Sequence, residues 1–330
     1  MKQYLKVSIT LLLYLCTALV LHAQHADMKQ QQKVQKLVEE GSQLLDAGNP
    51  IEAIKKLQEA VQLDAGSPAA NYELGYAWYL EQDWDKAIKY SRRVVTLGRD
   101  YQPEAYIVYG SSLDQRGNSG GAAEIFKEAI QKFPKNYLLY YNYAYTSFNA
   151  GNTSLAADAL YKALEINPMH GSSHLLLGYV MNSRQENIKT LLPLCFFLME
   201  NPSTSDSKKA VNLLEEVRTR IVNKQSENSN DSLFLHLALS STPGEKEAPD
   251  LCAMLNILFL HLHDFNLPAI SVYENQYIPF FYALAKAGHT EAFCYFIMQT
   301  SGKQEVSDWL KTHPDQLEQF ADWLDKYKLP

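Results

Sequence analysis

The chain has 330 residues, which is room for one long repeat array or two modest domains. Hydrophobic residues make up 46% of it and charged residues 20%, a composition that argues against a wholly disordered protein. Its 37 Asp and Glu residues outnumber its 30 Lys and Arg residues, giving a formal net charge of −7. Since phosphate binding needs a dense Lys and Arg face, this balance argues against a nucleic-acid-binding protein.

Residues 1–23 have the pattern of a secretory signal peptide. Lys2 and Lys6 supply a positive start, Val7 to Leu21 form an apolar run, and small Ala23 precedes the predicted cleavage site. We therefore expect export, with the periplasm as the destination and secretion or envelope association as alternatives. Residues 24–33 would then form an N-terminal tail.

Two other interpretations of this segment require different patterns. A retained membrane anchor needs roughly 20 apolar residues, which is longer than this run. A lipoprotein needs a small residue directly before its cysteine, but Leu15 precedes Cys16. Cleavage is therefore the favoured prediction, and it leaves no stable membrane insertion.

Small residues recur with a period of about 34 in the next part of the chain, in three coincident series. The first series is Gly41, Gly75, Gly110, Ala144 and Gly178. The second is Ala53, Ala87, Ala122 and Ala156, and the third is Ala60, Val94, Ala129 and Ala163. Prolines close three successive units at Pro134, Pro168 and Pro202. Such self-similarity predicts a repeat architecture.

The repeat pattern predicts a stack of antiparallel helix pairs, A and B. Small residues at the contacts let the backbones approach to the usual 8–10 Å between helix axes. The A–B turns carry Gly48-Asn49, Gly117-Asn118 and Gly151-Asn152, which tolerate the left-handed conformation that ends a helix. The closing prolines prevent helix B from continuing into the next pair.

These residues resemble the tetratricopeptide repeat family, whose 34-residue unit has a small residue at position 8, Ala at positions 20 and 27 and Pro at position 32. The segments Asn71 to Trp78 (NYELGYAW) and Ala156 to Pro168 (AADALYKALEINP) carry the resemblance most closely. It implies an all-α, right-handed superhelical solenoid over residues 34–204, followed by an irregular α-helical region over 205–330. The repeats are assigned to 34–67, 68–101, 103–136, 137–170 and 171–204.

The fifth repeat departs from the family pattern. Thr190 and Phe197 replace its two alanines, and Pro193 lies within its predicted helix B. We therefore expect a degenerate cap in which helix B is kinked or starts late.

The resemblance implies a concave face formed by positions 2, 5, 9 and 12 of each helix A, where such arrays hold a peptide or a helix. Seven aromatic residues occupy these positions: Tyr72, Tyr76, Tyr79, Tyr141, Tyr145, Phe148 and Tyr179. Polar residues stand between them at Ser42, Ser111, Asp114 and Asn182. Tyrosine offers a large contact area at low entropic cost, which favours binding of a protein or peptide partner. The alternative is that these rings only pack helix A against its neighbours.

The family's carboxylate clamp, with Lys and Asn at positions 5 and 9, is missing. Position 5 holds Val38, Tyr72, Ile107, Tyr141 and Leu175, and no position 9 holds Asn. The sequence therefore does not predict recognition of a terminal carboxylate.

The second half of the chain reads as helical throughout. Ser205 to Val222 is amphipathic and begins at a Ser/Asp cap, whereas 224–232 and 240–250 are expected to be loops. Further helices are predicted at Leu233 to Leu239, Leu251 to Leu262, Tyr277 to Ala287, Thr290 to Thr300, Val306 to Lys311 and Pro314 to Tyr327. Whether this region continues the solenoid or forms a separate domain stays open.

Three cysteines remain after the predicted cleavage: Cys195, Cys252 and Cys294. Each has apolar neighbours, so burial as a small hydrophobic residue is favoured over a redox role. One disulfide among them is an open alternative in an oxidising compartment.

No catalytic, cofactor or metal site is predicted. Gly117 to Gly121 (GNSGG) is reminiscent of a serine-protease nucleophile loop but falls at an A–B turn, and Ser205 to Lys208 matches S-x-x-K without its partner motifs. His170 and His174 could chelate a metal only if both were helical. His261 and His263 are two residues apart and so point about 200° apart on a helix.

The leading hypothesis is an exported, non-enzymatic adaptor that binds a protein or peptide partner of unknown identity. One alternative is an enzyme or ligand-binding protein with an unfamiliar site in residues 205–330. A second alternative is a structural component that self-associates.

Overall fold

The computed structural model describes residues 27–223, 229–240, 250–267 and 269–327. Within these ranges the regular elements are helices, and the predicted all-α fold of the tetratricopeptide repeat type is confirmed. The chain divides into two compact bodies, with the boundary between Phe133 and Pro134. We call them the N-terminal body and the C-terminal body.

The N-terminal body contains six described helices. Residues 27–46 form α1, so residues 27–33 of the predicted tail lie in the same helix as the start of the first repeat. The others are α2 (Pro50–Leu63), α3 (Pro68–Leu80), α4 (Trp84–Leu97), α5 (Gln102–Gln115) and α6 (Ser119–Lys132). Helices next to each other in sequence pack together from α2 onward, and α3 also packs against α5. This is the A-against-A contact expected of stacked helix pairs.

The C-terminal body begins with two further helix pairs. They are α7 (Tyr137–Asn149), α8 (Thr153–Ile166), α9 (Gly171–Ser183) and α10 (Asn187–Glu200). Then follow α11 (Ser205–Val222), α12 (Ser229–Ser240), α13 (Leu251–Leu260), α14 (Ile278–Lys286), α15 (Thr290–Ile297), α16 (Gln304–Thr312) and α17 (Pro314–Lys326). A 3₁₀ turn at Leu262–Asp264 follows α13, and a π-helical turn at Tyr273–Tyr277 leads directly into α14.

The glycines of the first small-residue series mark the closest approach of helix A to helix B. A Cβ atom on Gly110 would lie 2.5 Å from Cζ of Phe126, and one on Gly178 would lie 2.5 Å from Cδ2 of Leu194. In each pair the partner is sixteen residues further along the chain, so both partners occupy the same position on helix B of their repeat. The spacing of the small residues therefore sets the packing of the pairs, as predicted.

The alanine series form the interior of the stack. Every member of the second and third series, including Val94, has a relative exposure of 0%. Leu57 lies between two of these alanines on α2 and Leu160 between two on α8, and both leucines are also at 0% exposure, so the B helices are closely packed.

The A–B turns adopt the left-handed conformation that their sequences predict. Gly48, Gly117 and Gly151 have φ values of 73°, 87° and 78°. The equivalent residues of the second and fifth repeats are Gln82 and Gln185, with φ values of 59° and 57°. A residue with a Cβ atom is strained in this conformation, so the turn geometry is imposed by the packing of the helices it joins.

The fifth repeat keeps its register. Helix α10 begins at Asn187, 34 residues after α8 begins at Thr153, so the predicted late start of helix B is wrong. Pro193 lies inside α10 and is itself buried. The residues from Leu191 to Met199 are all buried, because helices from the C-terminal region cover the faces that a terminal repeat would leave open.

Residues 205–327 are packed onto the fifth repeat within the same compact body, as far as they are described. Helix α10 contacts α11, α12, α15 and the π-helical turn. Phe196 of α10 is fully buried and lies 5.8 Å from Tyr277 and 5.7 Å from Phe280, measured between ring centroids. Burying a side chain of this size contributes about 1.5–3 kcal/mol, so this aromatic core holds the C-terminal helices on the array.

A buried polar cluster joins the same elements on another side of α10. Arg220 of α11 donates hydrogen bonds to Asn187 (3.0 Å), Asn182 (2.8 Å) and Gln185 (3.0 Å). Asn187 in turn donates to Asp231 of α12 over 2.8 Å. The start of α12 corrects one prediction. Residues 229–232 were expected in a loop but form the first turn of this helix. The rest of that predicted loop, and residues 241–249 of the next one, lie outside the described residues.

The cysteines divide into one pair and one free thiol. Cys252 of α13 and Cys294 of α15 form a disulfide with a Cα–Cα distance of 5.5 Å, and Cys195 is free and buried. Burial raises the pKa of the Cys195 thiol far above its usual range, so that side chain is chemically inert.

Candidate partner-binding surface

The predicted aromatic residues of the N-terminal body lie on α3. Tyr72 and Tyr76 stack with parallel rings, 6.4 Å apart at their centroids and 6° apart in plane. Tyr79 instead packs edge-on against Trp84 of α4, 5.5 Å away. All three are half-buried, so part of each ring is available to a partner.

Tyr101 extends this row and was missed by the sequence analysis. It lies at the end of the second repeat, outside the helix A positions, and its ring stacks on Tyr72 with a centroid distance of 5.3 Å. Its side chain is 41% exposed. A tyrosine beside the Gly-Arg-Asp of an inter-repeat loop was the only sequence signal. We call Tyr72, Tyr76 and Tyr101 the Tyr72 cluster.

The predicted residues of the C-terminal body differ in how much of each ring is free. Tyr145 is 41% exposed and is absent from the residues that pack on the core. Tyr141, Phe148 and Tyr179 are half-buried against that core, and Tyr141 also contacts the His170 ring edge-on at 5.2 Å. For these three, packing accounts for part of the surface, as the alternative interpretation requires.

The predicted polar residues Asp114 and Asn182 make hydrogen bonds within the chain. Asp114 accepts a hydrogen bond from Ser119 Oγ over 2.5 Å, across the A–B turn of the third repeat. Asn182 accepts from Arg220 in the buried polar cluster. Ser42 and Ser111 are half-buried on α1 and α5.

A cleft of about 400 Å³ lies beside the Tyr72 cluster in the N-terminal body. Its lining includes Gln35, Val38 and Ala69, which occupy helix A positions 2 and 5 of the first two repeats. Tyr101 forms another part of the lining. The cleft therefore opens on the face that the repeat pattern assigns to a partner.

The motifs with catalytic resemblance have structural roles. Asn118 accepts a hydrogen bond from the Gly121 backbone and caps α6, so GNSGG is a helix start. Thr204, rather than Ser205, caps α11 and forms a capping box with Ser207. Helix capping therefore accounts for both motifs, and neither requires a nucleophilic serine.

His170 and His174, the predicted candidates for metal binding, hydrogen-bond to different partners. His170 precedes α9 and contacts Ser173 Oγ at 2.7 Å, whereas His174 contacts Tyr277 Oη at 2.6 Å and the Pro168 carbonyl at 2.7 Å. Both ring nitrogens of His174 are therefore used. Within the described ranges no group of three His, Cys, Asp or Glu residues is arranged to hold a metal ion.

A second cleft, of about 510 Å³, lies in the C-terminal body next to the disulfide. Asp250, Asn256, Glu291 and Tyr295 line it together with Cys252. Glu291 accepts a hydrogen bond from the indole nitrogen of Trp309 over 3.3 Å, and the Trp309 ring stacks on Tyr295.

The predicted signal peptide and its cleavage site lie outside the described residues. Among the helices that are described, none has the length and apolar character needed to cross a bilayer.

Comparison with known proteins gives one family and a shared fold. Residues 38–102 and 110–170 match the family model described as tetratricopeptide repeat. The solved structure of pilF from Pseudomonas aeruginosa is similar at 18% identity and a TM-score of 0.52, covering 66% of this chain and 95% of that one. PilW, described as a widely conserved type IV pilus biogenesis factor, is similar at 15% identity and a TM-score of 0.52, covering 65% and 96%. No curated protein matches the sequence. Residues 38–102 and 110–170 are thus tetratricopeptide repeats.

Proposed function

We propose that this protein is an exported adaptor that binds a protein or peptide partner through the aromatic residues of its A helices. Tetratricopeptide repeat proteins typically mediate protein–protein contacts. The observation that carries the proposal is a difference in burial along the A helices. The small residues at position 8 are fully packed, whereas aromatic rings at positions 5, 9 and 12 stay partly exposed, Tyr145 most of all.

Aromatic rings that remain open beside a cleft are unfavourable in water unless a partner covers them. Tyrosine is suited to such contacts because its ring packs and its hydroxyl group hydrogen-bonds. The surface lacks the Lys and Asn of the carboxylate clamp, so the partner is held along its length rather than by its terminus.

Export is supported by two independent features. The first is the signal-peptide pattern of residues 1–23. The second is the Cys252–Cys294 disulfide, since such bonds persist in oxidising compartments and are rare in the cytosol.

The test is affinity capture from native envelope extract with the wild type and with Tyr76→Ala/Tyr145→Ala. We expect the double variant to lose the specifically captured protein while its thermal unfolding stays cooperative. The matched control is Ile51→Ala/Leu155→Ala, which removes two apolar side chains that are 56% and 47% exposed on B helices. Equal capture by all three proteins would remove the proposal.

A second candidate function places a small-ligand site in the cleft beside the disulfide. That cleft combines carboxylates, an amide and an aromatic ring, which is the mixture found in ligand pockets. Thermal-shift screening of the full chain against small molecules tests it, with Asn256→Leu as the variant that should abolish any shift. A shift retained by that variant would exclude the cleft as its source.

A further inference from the structure

The cleft beside the Tyr72 cluster is acidic. Its lining contains two carboxylates, Glu39 and Asp64, and its other residues are Gln31, Val34, Gln35, Val38, Ser67, Ala69 and Tyr101. None of these nine residues is Lys, Arg or His. A cationic group entering the cleft would therefore meet no like charge from its lining.

Two more carboxylates lie close to the aromatic rings themselves. The charges of Glu73 and Glu104 add to the effect of burial, and together they raise the pKa of Tyr72 to about 12. Glu73 is half-buried, and it has no hydrogen bond or ion pair to any described residue. Its pKa is raised by burial and by the neighbouring charge of Asp46. A half-buried carboxylate without a partner is unfavourable, and a cation beside it would remove that cost.

Tyr101 is held in a conformation that its side chain does not favour. Its φ is 64°, in the left-handed region where glycine or asparagine is usual. The ring nevertheless stacks on Tyr72 and faces the cleft. Strained residues are found at ligand-binding positions as well as in turns, and at Tyr101 the strain places an exposed ring at the cleft.

The N-terminal body already contains the combination of groups that such a cleft would form with a cation. Lys132 Nζ lies 2.7 Å from the Glu128 carboxylate, 2.7 Å from the Tyr106 hydroxyl and 5.3 Å from the centroid of the Tyr106 ring. A tyrosine hydroxyl and a carboxylate thus hold an ammonium group together in this body, and the carboxylate contributes a charge-assisted hydrogen bond.

From these features we infer that the Tyr72 cluster and its cleft bind a Lys or Arg side chain of the partner segment. The inference rests on the proposed function, because it names the chemistry of the segment that the aromatic surface holds. The ammonium or guanidinium group packs on the exposed part of the Tyr101 ring beside Tyr72, while Glu73 and Glu104 compensate its charge. An acidic segment would instead meet four carboxylates at this place.

The test is selection of a random dodecapeptide display library on the full-length chain without its signal peptide, at low salt. Selected peptides are synthesised and their dissociation constants measured, each beside a copy in which norleucine replaces Lys and citrulline replaces Arg. We expect Lys or Arg to be enriched, and the uncharged copies to bind about ten-fold more weakly. The variant Glu73→Gln/Glu104→Gln should bind the Lys- or Arg-containing peptides about ten-fold more weakly than the wild type does.

The matched control is Glu52→Gln/Glu81→Gln, which removes two exposed carboxylates from the same body and changes the net charge equally. It should leave the affinities unchanged. Tyrosine-dependent peptides that show no preference for basic residues would overturn this inference and leave the proposed function standing. Failure to select any peptide whose binding depends on Tyr76 or on Tyr145 would overturn both.

Discussion

The side chains of His174 and Tyr277, 103 residues apart in sequence, are joined by a hydrogen bond of 2.6 Å between Nδ1 and Oη. Since Nε2 of the same ring must donate to the Pro168 carbonyl, Nδ1 accepts the bond from the tyrosine hydroxyl. Gln276 donates to that carbonyl as well, over 2.7 Å. These bonds join the loop between repeats four and five to the π-helical turn that leads into α14.

The stability of the protein should depend on pH through His174. The residue is fully buried, and burial lowers its pKa from 6.5 to about 3. Between these values the unfolded chain binds a proton that the native chain does not bind. The free energy of unfolding should therefore have its full value above pH 6.5. Below pH 6.5 it should fall by about 1.4 kcal/mol per pH unit.

Urea unfolding at pH 7.5, 5.5 and 4.5 checks this expectation against His174→Gln. Glutamine can still donate to one partner and accept from the other, but it does not titrate. We expect the variant to lose less stability than the wild type as the pH falls, by about 1.4 kcal/mol for each unit below 6.5. Parallel curves for the two proteins would contradict the assignment.

The close approach at Gly110 should make that position intolerant of any side chain. Gly110→Ala places a Cβ atom 2.5 Å from the buried ring of Phe126, and such overpacking costs about 1–3 kcal/mol. Gly120→Ala is the control, because no atom lies within 4 Å of its Cβ position in α6. The control should be neutral or stabilise the helix by up to about 1 kcal/mol. The denaturant midpoint should fall for Gly110→Ala and stay unchanged or rise for Gly120→Ala.

The glutamine in the left-handed turn of the second repeat should be replaceable with a gain in stability. Gln82→Gly relieves a conformation that costs a residue with a Cβ atom about 1 kcal/mol, less the added flexibility of glycine, so we expect a gain of about 0.5 kcal/mol. Gln185→Gly should gain less, because it also removes the side-chain oxygen that accepts a hydrogen bond from the buried Arg220. The reverse change, Gly48→Gln at φ 73°, should lower stability. Thermal unfolding of the wild type and the three variants would show whether the signs are as stated.

The cysteines should react in a fixed order. In the mature chain, native protein without reductant should bind no iodoacetamide, denatured protein one equivalent at Cys195, and reduced denatured protein three. Closing a loop of 42 residues is worth about 3–4 kcal/mol in the chain-entropy model, so Cys252→Ala/Cys294→Ala should be destabilised by up to that amount. Mass spectrometry counts the labels, and three equivalents in denatured protein without reductant would exclude the disulfide.

Local sequence features were sufficient to predict the helix pairs. The position-8 glycines, the two alanine series and the Gly-Asn turns each act within one repeat or between neighbouring repeats, so their spacing alone indicates which helices meet. Tyr72 and Tyr76 lie four residues apart on one helix, and helical periodicity alone places them on one face. The stacking of Tyr101 on Tyr72 could not be predicted, because it depends on a left-handed backbone in a loop.

The sequence by itself determined the repeat, its register and the aromatic composition of the predicted binding face. Only the tertiary structure decided that α11 to α17 share one compact body with the fourth and fifth repeats. It also decided which two of the three cysteines pair and that His174 is a neutral, buried hydrogen-bonding residue. The physical reason is the separation in sequence. Contacts within a repeat follow from the helical period, whereas the Phe196–Phe280, Asn187–Asp231 and His174–Tyr277 contacts join segments that no periodicity relates.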